Sequence, residues 1–369
     1  MIIIDGSYGE GGGQVLRTSL SLAAITGEAI RIENIRAGRP KPGLAAQHLT
    51  SVRAAAAICQ AQVRGDKLGS TMLEFIPSSP TLAGQYCFDV SEAREGGSAG
   101  TITLVLQTIL LPLALAKGDS EVTLRGGTHV AHSPTLSYIE QVYLPAIALM
   151  GIAASVKLMA WGWYPQGGGQ AQLRVKGDST LNGITLLERG CLRLVQGLAV
   201  VTELPAHIPN RMALRADNIL RENQLRANIK PLRERGVAPG AGIFLLAEYK
   251  NSLAGFSALG RVGLPAEKVA EIACKELLDF HEKVAPIDVH LADQIMLPAA
   301  LASSSSQYRV AQISTHLTTN AWVIQQFGLA EIEIDQTNQI VAVTPASVKT
   351  FEDKGDKGDK GDKREEKDF

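Results

Sequence analysis

The sequence predicts an α/β (α+β) fold interrupted by an insertion, and three observations carry that expectation. Short β-rich runs alternate with helical stretches through most of the 369-residue chain. Glycine clusters recur as GEGGGQ at 9–14, EGGSAG at 95–100 and QGGGQ at 166–170. The first two open helices and the third leads into a strand, which reads as a degenerate structural repeat and not a solenoid of fixed period. From about 188 to 279 the texture changes, with the β-like LRLVQGLAVV followed by a charged helix at about 210–228, marking an inserted domain.

In chain order, the expected elements begin with the strand IIID, a helix near 13–26, the strand IRIENI and a helix near 44–62. The strands TMLEFI and YCFDV follow, then an apolar helix at 101–117, the strand EVTLRG, a helix at about 134–150, and the strands SVKLMAWGWY and QAQLRVKG. The insertion supplies LRLVQGLAVV, a charged helix at about 210–228, GIFLLAEYK, SALGRV and a helix at 266–282. The first pattern then resumes with a helix around HLADQIMLPAALA, the strand YRVAQIS, the helix NAWVIQQF and a hairpin from EIEID to IVAVT. The expected division is a main domain of 1–187 plus 280–349, an insert of 188–279, and a disordered tail of 350–369. Residues 351–369 carry eight acidic and six basic residues, so burial cannot offset their chain entropy.

Composition narrows the functional classes only a little. With 45% hydrophobic residues the chain can bury a large core, and a formal charge of -1 makes any polyanion site a local feature. The four cysteines, Cys59, Cys87, Cys191 and Cys274, form no C-x-x-C pair, which points to a reducing, cytoplasmic setting and away from structural zinc. No secretory leader is evident at MIIIDG, and the run at 101–116 is short for a membrane span and broken by Gln107 and Pro112.

Four stretches carry possible chemistry. In GSYGEGGGQVLR, glycines allow close backbone approach and the following helix start favours an anion, although neither the P-loop nor the dinucleotide spacing is met. Glu10 among these glycines would repel phosphate unless a divalent cation lay between them; a tight turn with a solvated glutamate is the equal alternative. In IRAGRPKPG, Pro40 and Pro42 stiffen a loop bearing Arg36, Arg39 and Lys41, with Arg17 nearby on the first helix. Such loops taken alone are more often solvated surface. Gln107 sits within an apolar helix, where an unpaired amide costs about 1–3 kcal/mol, so it calls for a partner, most commonly a backbone group. His316 follows a strand and precedes a helix whose N-cap is expected at Thr318, Thr319 or Asn320. Neutral imidazole there is a competent nucleophile at phosphorus, whereas a hydrogen-bonded junction histidine is the plainer alternative. His129 and His132 lack a third ligand close in sequence, which favours a loop role, and His290 can stack on a base or simply begin a helix. Residues 211–235 hold seven basic and three acidic residues, readable as RNA-phosphate contacts or as a solvated helix face.

Taken in order, DGSYGEGGGQVLR, IRAGRPKPGL-x-x-QHL, GSAGTITLVLQT, GWYPQGGG, HLADQIMLP and STHLTTN resemble the RNA 3'-terminal phosphate cyclase family from residue 2 to about 345. The resemblance implies a main domain of three repeated units, each a four-stranded sheet with two helices, interrupted by a small α/β insert. It implies ATP-dependent closure of an RNA 3'-phosphate to a 2',3'-cyclic phosphodiester through a covalent histidine-AMP and an RNA-(3')pp(5')A intermediate. On that likeness His316 is the nucleophile and Glu10 the ligand of a divalent cation (Mg or Mn). Arg17, Arg36, Arg39, Gln47 and Gln107 hold phosphates, and Pro134, His290, Asp293 and Gln294 form the adenine pocket, His290 standing where some members have tyrosine. The expected partner is RNA with a 3'-terminal phosphate, with no membrane, and the likeness suggests a homodimer. Two other classes compete: a non-catalytic cyclase-like protein of ribosome assembly, against which His316 and Glu10 weigh, and an enolpyruvyl transferase, whose lysine and cysteine chemistry has no clear counterpart here.

Overall fold

The computed structural model describes residues 1–93 and 99–346. The charged tail and residues 95–98 of the second glycine cluster lie outside them. Within the described residues the chain is a mixed α/β protein with four four-stranded sheets. The first contains β1 (Ile2–Asp5), β2 (Ile30–Glu33), β3 (Gln62–Arg64) and β4 (Leu73–Ile76), and the second β5 (Gln85–Asp89), β6 (Ser120–Gly126), β7 (Ala154–Ala160) and β8 (Gly169–Val175). The third begins with β9 (Thr185–Leu186); the chain then leaves to build β10 (Leu192–Thr202), β11 (Ala227–Glu234), β12 (Gly240–Tyr249) and β13 (Leu253–Leu259) before returning as β14 (Ser306–Arg309), β15 (Ala330–Asp335) and β16 (Ile340–Pro345).

Three sheets share one connectivity. Their orders are β1-β2-β4-β3, β5-β6-β8-β7 and β9-β14-β16-β15, each with a parallel first pair and two antiparallel pairs after it. The sheet of β10 to β13 has order β11-β10-β12-β13. It packs on α6 (His207–Glu222) and α7 (Ala266–Glu282) around its own apolar cluster, which includes Val195, Leu245 and Leu277. The other three sheets share a second cluster with α1 (Gly13–Thr26), α2 (Ala46–Cys59) and α3 (Ile102–Leu115). β3 and β9, three and two residues long, were not among the expected strands because so short a run leaves no periodicity to read.

Helix α3 is fully helical across the apolar run despite Pro112. Proline cannot donate to the carbonyl four residues back, that of Thr108, and the Ser21 hydroxyl of α1 donates to this oxygen instead at 2.6 Å. The bond supplies a partner to the carbonyl that an interior proline leaves unpaired and ties α1 to α3. No helix among the described residues is long and apolar enough to cross a membrane.

Several expected helices are corrected. The helix expected at 134–150 is present over 136–148, with a π-helical turn at Ile139–Tyr143 between α4 (Leu136–Tyr138) and α5 (Leu144–Ala148). The one around HLADQIMLPAALA is two short pieces, α8 (Leu291–Gln294) and α9 (Met296–Ala300). The charged helix of the insert ends at Glu222, and the basic stretch continues as β11, an edge strand. Arg211, Arg215 and Arg221 of α6 are solvent-accessible and paired with Glu267, Glu271 and Asp217, whereas Lys230 and Arg233 stand on β11, so the basic segment is not one helix face. The last main helix, α10 (Thr315–Gln326), starts earlier than expected. Its N-cap is Ser314, whose hydroxyl accepts the Leu317 N–H at 3.2 Å, and not Thr318, Thr319 or Asn320. His316 therefore stands in the first turn of α10 instead of before it.

Candidate active site

The glycine loop between β1 and α1 is held at both ends. Asp5 Oδ1 accepts the Ser7 N–H at 3.0 Å, the Ser7 hydroxyl at 2.7 Å and the Asn34 amide at 3.2 Å. Gly9 and Gly11 take the left-handed conformation with φ of 64° and 56°. Tyr8 stacks on Trp322 of α10 with ring centroids 4.0 Å apart, and a Cβ at Gly9 would collide with the Thr319 hydroxyl. These contacts fasten the loop to the helix that carries His316. The loop also leads into α1 without a side-chain cap at Gly12, so no capping side chain takes up the first-turn N–H groups of this 14-residue helix.

His316 Nε2 lies 2.9 Å from Glu10 Oε2, and Arg39 Nη2 lies 3.2 Å from the same oxygen. The hydrogen bond to Glu10 raises the His316 pKa against the opposing effect of burial. Burial pushes the Glu10 carboxyl upward, but the hydrogen bond and charge of His316, with the charges of Arg39 and Arg17, outweigh it and leave the pKa below the ordinary value. The two shifts agree on an ion pair, Glu10 being the more enclosed partner with 15% of its side chain exposed against 50% for His316.

Arg17 stands on α1, which the loop leads into. Burial lowers its pKa to about 10, while the charges of Asp293 and Glu10 pull the other way, so it remains a cation at neutral pH. Its guanidinium donates to Gln14 Oε1 at 2.6 Å. Behind it His48 is buried, its Nδ1 accepting the Ala45 N–H at 3.2 Å; burial, then repulsion by Arg17, Arg36 and Arg39, lowers its pKa to about 3 and keeps it neutral. Asp293 on α8 is buried, which raises its pKa to about 6 against the opposing charges of His316, Arg17 and His290. Arg17, Asp293, Gln294 and Gln107 line one cavity of about 40 Å³ with Gln14, Thr18, Ser21, Tyr143, Leu297 and Asn320. Thr18 and Asn320 tie its walls together: the Thr18 hydroxyl donates to Asn320 Oδ1 at 2.6 Å, and Asn320 Nδ2 donates to the Asp293 carbonyl at 2.7 Å.

The remaining expected site residues are placed around this centre with different engagements. Arg36, at φ 55°, turns its guanidinium to the Gly43 carbonyl at 2.7 Å. Gln47 Oε1 accepts the Thr101 N–H at 3.3 Å, at the start of α3. Gln107 is only partly buried and faces the cavity, so the expectation of a backbone partner for it is replaced by access to the cavity space. The Pro134 carbonyl accepts the Thr103 hydroxyl at 2.7 Å. His290 is exposed at the start of α8, and Gln294 Oε1 is buried without a partner. His129 is buried between Thr128 and Ser137, whereas His132 is exposed. No cluster of three metal-ligating side chains occurs among the described residues. The sequence reading missed His48, Thr18, Ser21 and Tyr143. His48 alone carried a signal, as the neighbour of Gln47 in the motif L-x-x-QHL.

This arrangement can hold an anion against cationic and N–H groups and present an imidazole to it. A model of the family "RTC: RNA 3'-terminal phosphate cyclase" matches residues 8–334. RNA 3'-terminal phosphate cyclase of Trichormus variabilis is 70% identical over 95% of this chain and all of its own length. The proteins of the same name from Archaeoglobus fulgidus and Salmonella agona are 41% and 40% identical, covering 92% and 93% of this chain and 99% and 96% of theirs. With near-complete coverage on both sides and a match that takes in Glu10, Arg17, Arg39 and His316, the chain belongs to the RNA 3'-terminal phosphate cyclase family.

Proposed function

We propose that the protein converts an RNA 3'-terminal phosphate to a 2',3'-cyclic phosphodiester at the expense of ATP. The observation that carries this reading is the convergence of His316 and Arg39 on one carboxylate oxygen of Glu10, at a glycine loop that leads into a helix without a side-chain cap. Nε2 of His316 attacks the α-phosphorus of ATP, and the bond to the bridging oxygen breaks to release pyrophosphate. An oxygen of the RNA 3'-phosphate then attacks the same phosphorus, the N–P bond breaks, and RNA-(3')pp(5')A forms. The neighbouring 2'-OH closes on the 3'-phosphorus, loses its proton and expels AMP. Splitting the activation through histidine replaces one difficult displacement by two easier ones.

The resting contact between Nε2 and Glu10 favours imidazolium, and attack needs the neutral ring with the Nε2 lone pair free. Glu10 therefore gives up this hydrogen bond before the first step and meanwhile holds the ring toward the loop. Arg39 and Arg17 are the arginines whose charges act on this carboxylate, and they would orient phosphate oxygens. The adenine is read as lying against Pro134 and His290, with Asp293 and Gln294 beneath it. Gln294 Oε1, a buried acceptor without a partner, suits a donor such as the exocyclic amine.

A divalent cation fits Glu10 as a single protein carboxylate completed by phosphate oxygens and water, the usual pattern for magnesium. Gly12 supports that fit, because a Cβ there would collide with Glu10 Oε1 and narrow the space beside it. When bound, the cation would offset triphosphate charge. We read the three sheets of common connectivity as repeats of one four-stranded, two-helix unit and 188–279 as an insert within the third.

The test is incubation with ATP labelled at the α-phosphate. An acid-labile, alkali-stable adduct is expected on the protein and lost in His316→Ala; an adduct that persists in the variant rejects the assignment. Absence of any adduct in the parent favours the non-catalytic reading.

A further inference from the structure

We propose that Tyr138 is a positioning residue for the nucleotide pocket, and that it makes the pocket's geometry depend on docking of the inserted domain. This rests on the assignment of His290, Asp293 and Gln294 to the adenine site. Tyr138 is buried at the end of α4 and donates its hydroxyl to Asp288, 2.9 Å from Oδ1 and 3.1 Å from Oδ2. Asp288 is itself 1% exposed, and its Oδ1 accepts the N–H groups of His290 and Leu291, each at 2.9 Å. One carboxylate oxygen thus fixes the turn from which His290 and α8 start, and the Tyr138 hydroxyl fixes that carboxylate. The Tyr138 ring also meets His290 edge-on at 6.3 Å.

The other side of the tyrosine faces the insert. A Cβ at Gly255 of β13 would lie 2.9 Å from Tyr138 Cδ2 and 2.8 Å from Val142 Cγ2, so the strand backbone rests directly on this helix. The Thr135 and Ser257 hydroxyls, 3.1 Å apart, make a polar contact across the same junction. Immediately after Tyr138 the helix widens into the π turn, a conformation that collects at functional sites, and that turn ends at Tyr143 in the cavity wall. The chain of contact therefore runs from Gly255 to Tyr138, to Asp288, and to the adenine-pocket turn. Glycine at 255 and tyrosine at 138 act as one joint: the first permits the approach and the second transmits it.

The experiment is titration of ATP by calorimetry into the full-length His316→Ala protein, which stops turnover, with and without Tyr138→Phe or Gly255→Ala. Adenylylation kinetics are measured in the His316 background. Tyr138→Phe keeps the ring and removes the hydroxyl; it is expected to weaken ATP binding about tenfold and raise KM alike, with the rate at saturating ATP within about twofold. Gly255→Ala should do the same, and Asp288→Asn, which retains an acceptor for the two N–H groups, should fall between the parent and Asp288→Ala. Parental ATP affinity in both Tyr138→Phe and Gly255→Ala would overturn the proposal. So would a fall in saturating rate and melting temperature with KM unchanged, which signals only a structural role. Failure of the His316→Ala protein to bind ATP at all would instead reject the nucleotide-site reading on which the proposal rests.

Discussion

His316 and Glu10 meet through Nε2 and Oε2 at 2.9 Å, with Arg39 on the same oxygen at 3.2 Å. The carboxylate is thus divided between the expected nucleophile and a neighbouring cation, and its hold on the imidazole raises the histidine pKa. Because the folded-state value lies above that of a free histidine, the charged ring persists to higher pH and the neutral, reactive ring is gained only as pH rises through the raised value. Replacing Glu10 with Gln removes the countercharge and should lower the His316 pKa, followed by imidazole proton resonances in metal-free protein. The pH midpoint of adenylylation should move down with it. An unmoved His316 titration in Glu10→Gln would show that the carboxylate does not govern the ring.

Gly12 supplies a test of space alone. Its φ of -103° is open to any residue, so alanine is not strained there, yet the added Cβ would collide with Glu10 Oε1 and lie 2.8 Å from Arg39 Nη2. Gly12→Ala should therefore fold normally and lose adenylylation about tenfold or more, as misplacement of reacting groups by about an ångström does. Circular dichroism and the labelling rate measure the two halves of this expectation. A parental rate would mean that Glu10 can stand elsewhere during the reaction.

Asn320 lies one turn after His316 on α10 and is 2% exposed. It accepts from Thr18 on α1 and donates to the Asp293 carbonyl on α8, joining the three elements that carry His316, Arg17 and the proposed adenine pocket. Asn320→Ala should cost about 1–3 kcal/mol in urea unfolding, because it leaves buried groups unpaired. The double variant with Thr18→Val should show a coupling energy of about 1 kcal/mol between the two residues. Additive losses would show that they do not act as a pair.

The sequence made the order of large elements legible because helices such as α1 and α7 have uninterrupted periodic faces, and their bounds agree with the expected 13–26 and 266–282. It misled where a local signal competed with tertiary contact. Thr318, Thr319 and Asn320 all look like caps, but Ser314 performs that function and leaves Asn320 for a long-range bond. The helix through Pro112 was expected, but not that Ser21, 87 residues away, would cover the freed carbonyl. Tyr138 and Asp288 are 150 residues apart and neither stands in a recognisable motif. Candidate site residues on glycine- and arginine-rich loops were visible in the sequence; the residues that brace those loops were not, since bracing is a relation between distant segments.

His129 gives a prediction about stability that is independent of the reaction. It is buried against Trp161 and Trp163, with ring centroids 4.7 and 5.1 Å away, and its nitrogens face the hydroxyls of Thr128 and Ser137. Burial lowers its pKa from 6.5 to about 3, so the ring stays neutral in the folded protein and takes up a proton on unfolding. A depressed folded-state value means that its contribution is fully present above pH 6.5, is lost as pH falls, and stops changing near pH 3. Within that window one such group gives a slope of about 1.4 kcal/mol per pH unit. His129→Gln removes the titration, and the change of unfolding free energy with pH, measured by urea denaturation between about pH 4 and 6, should flatten by about that amount. His48, neutral for a related reason, continues to contribute in both proteins, so the difference between the two slopes isolates His129. Equal slopes would mean that the ring is already protonated, or exposed to solvent, in the folded state.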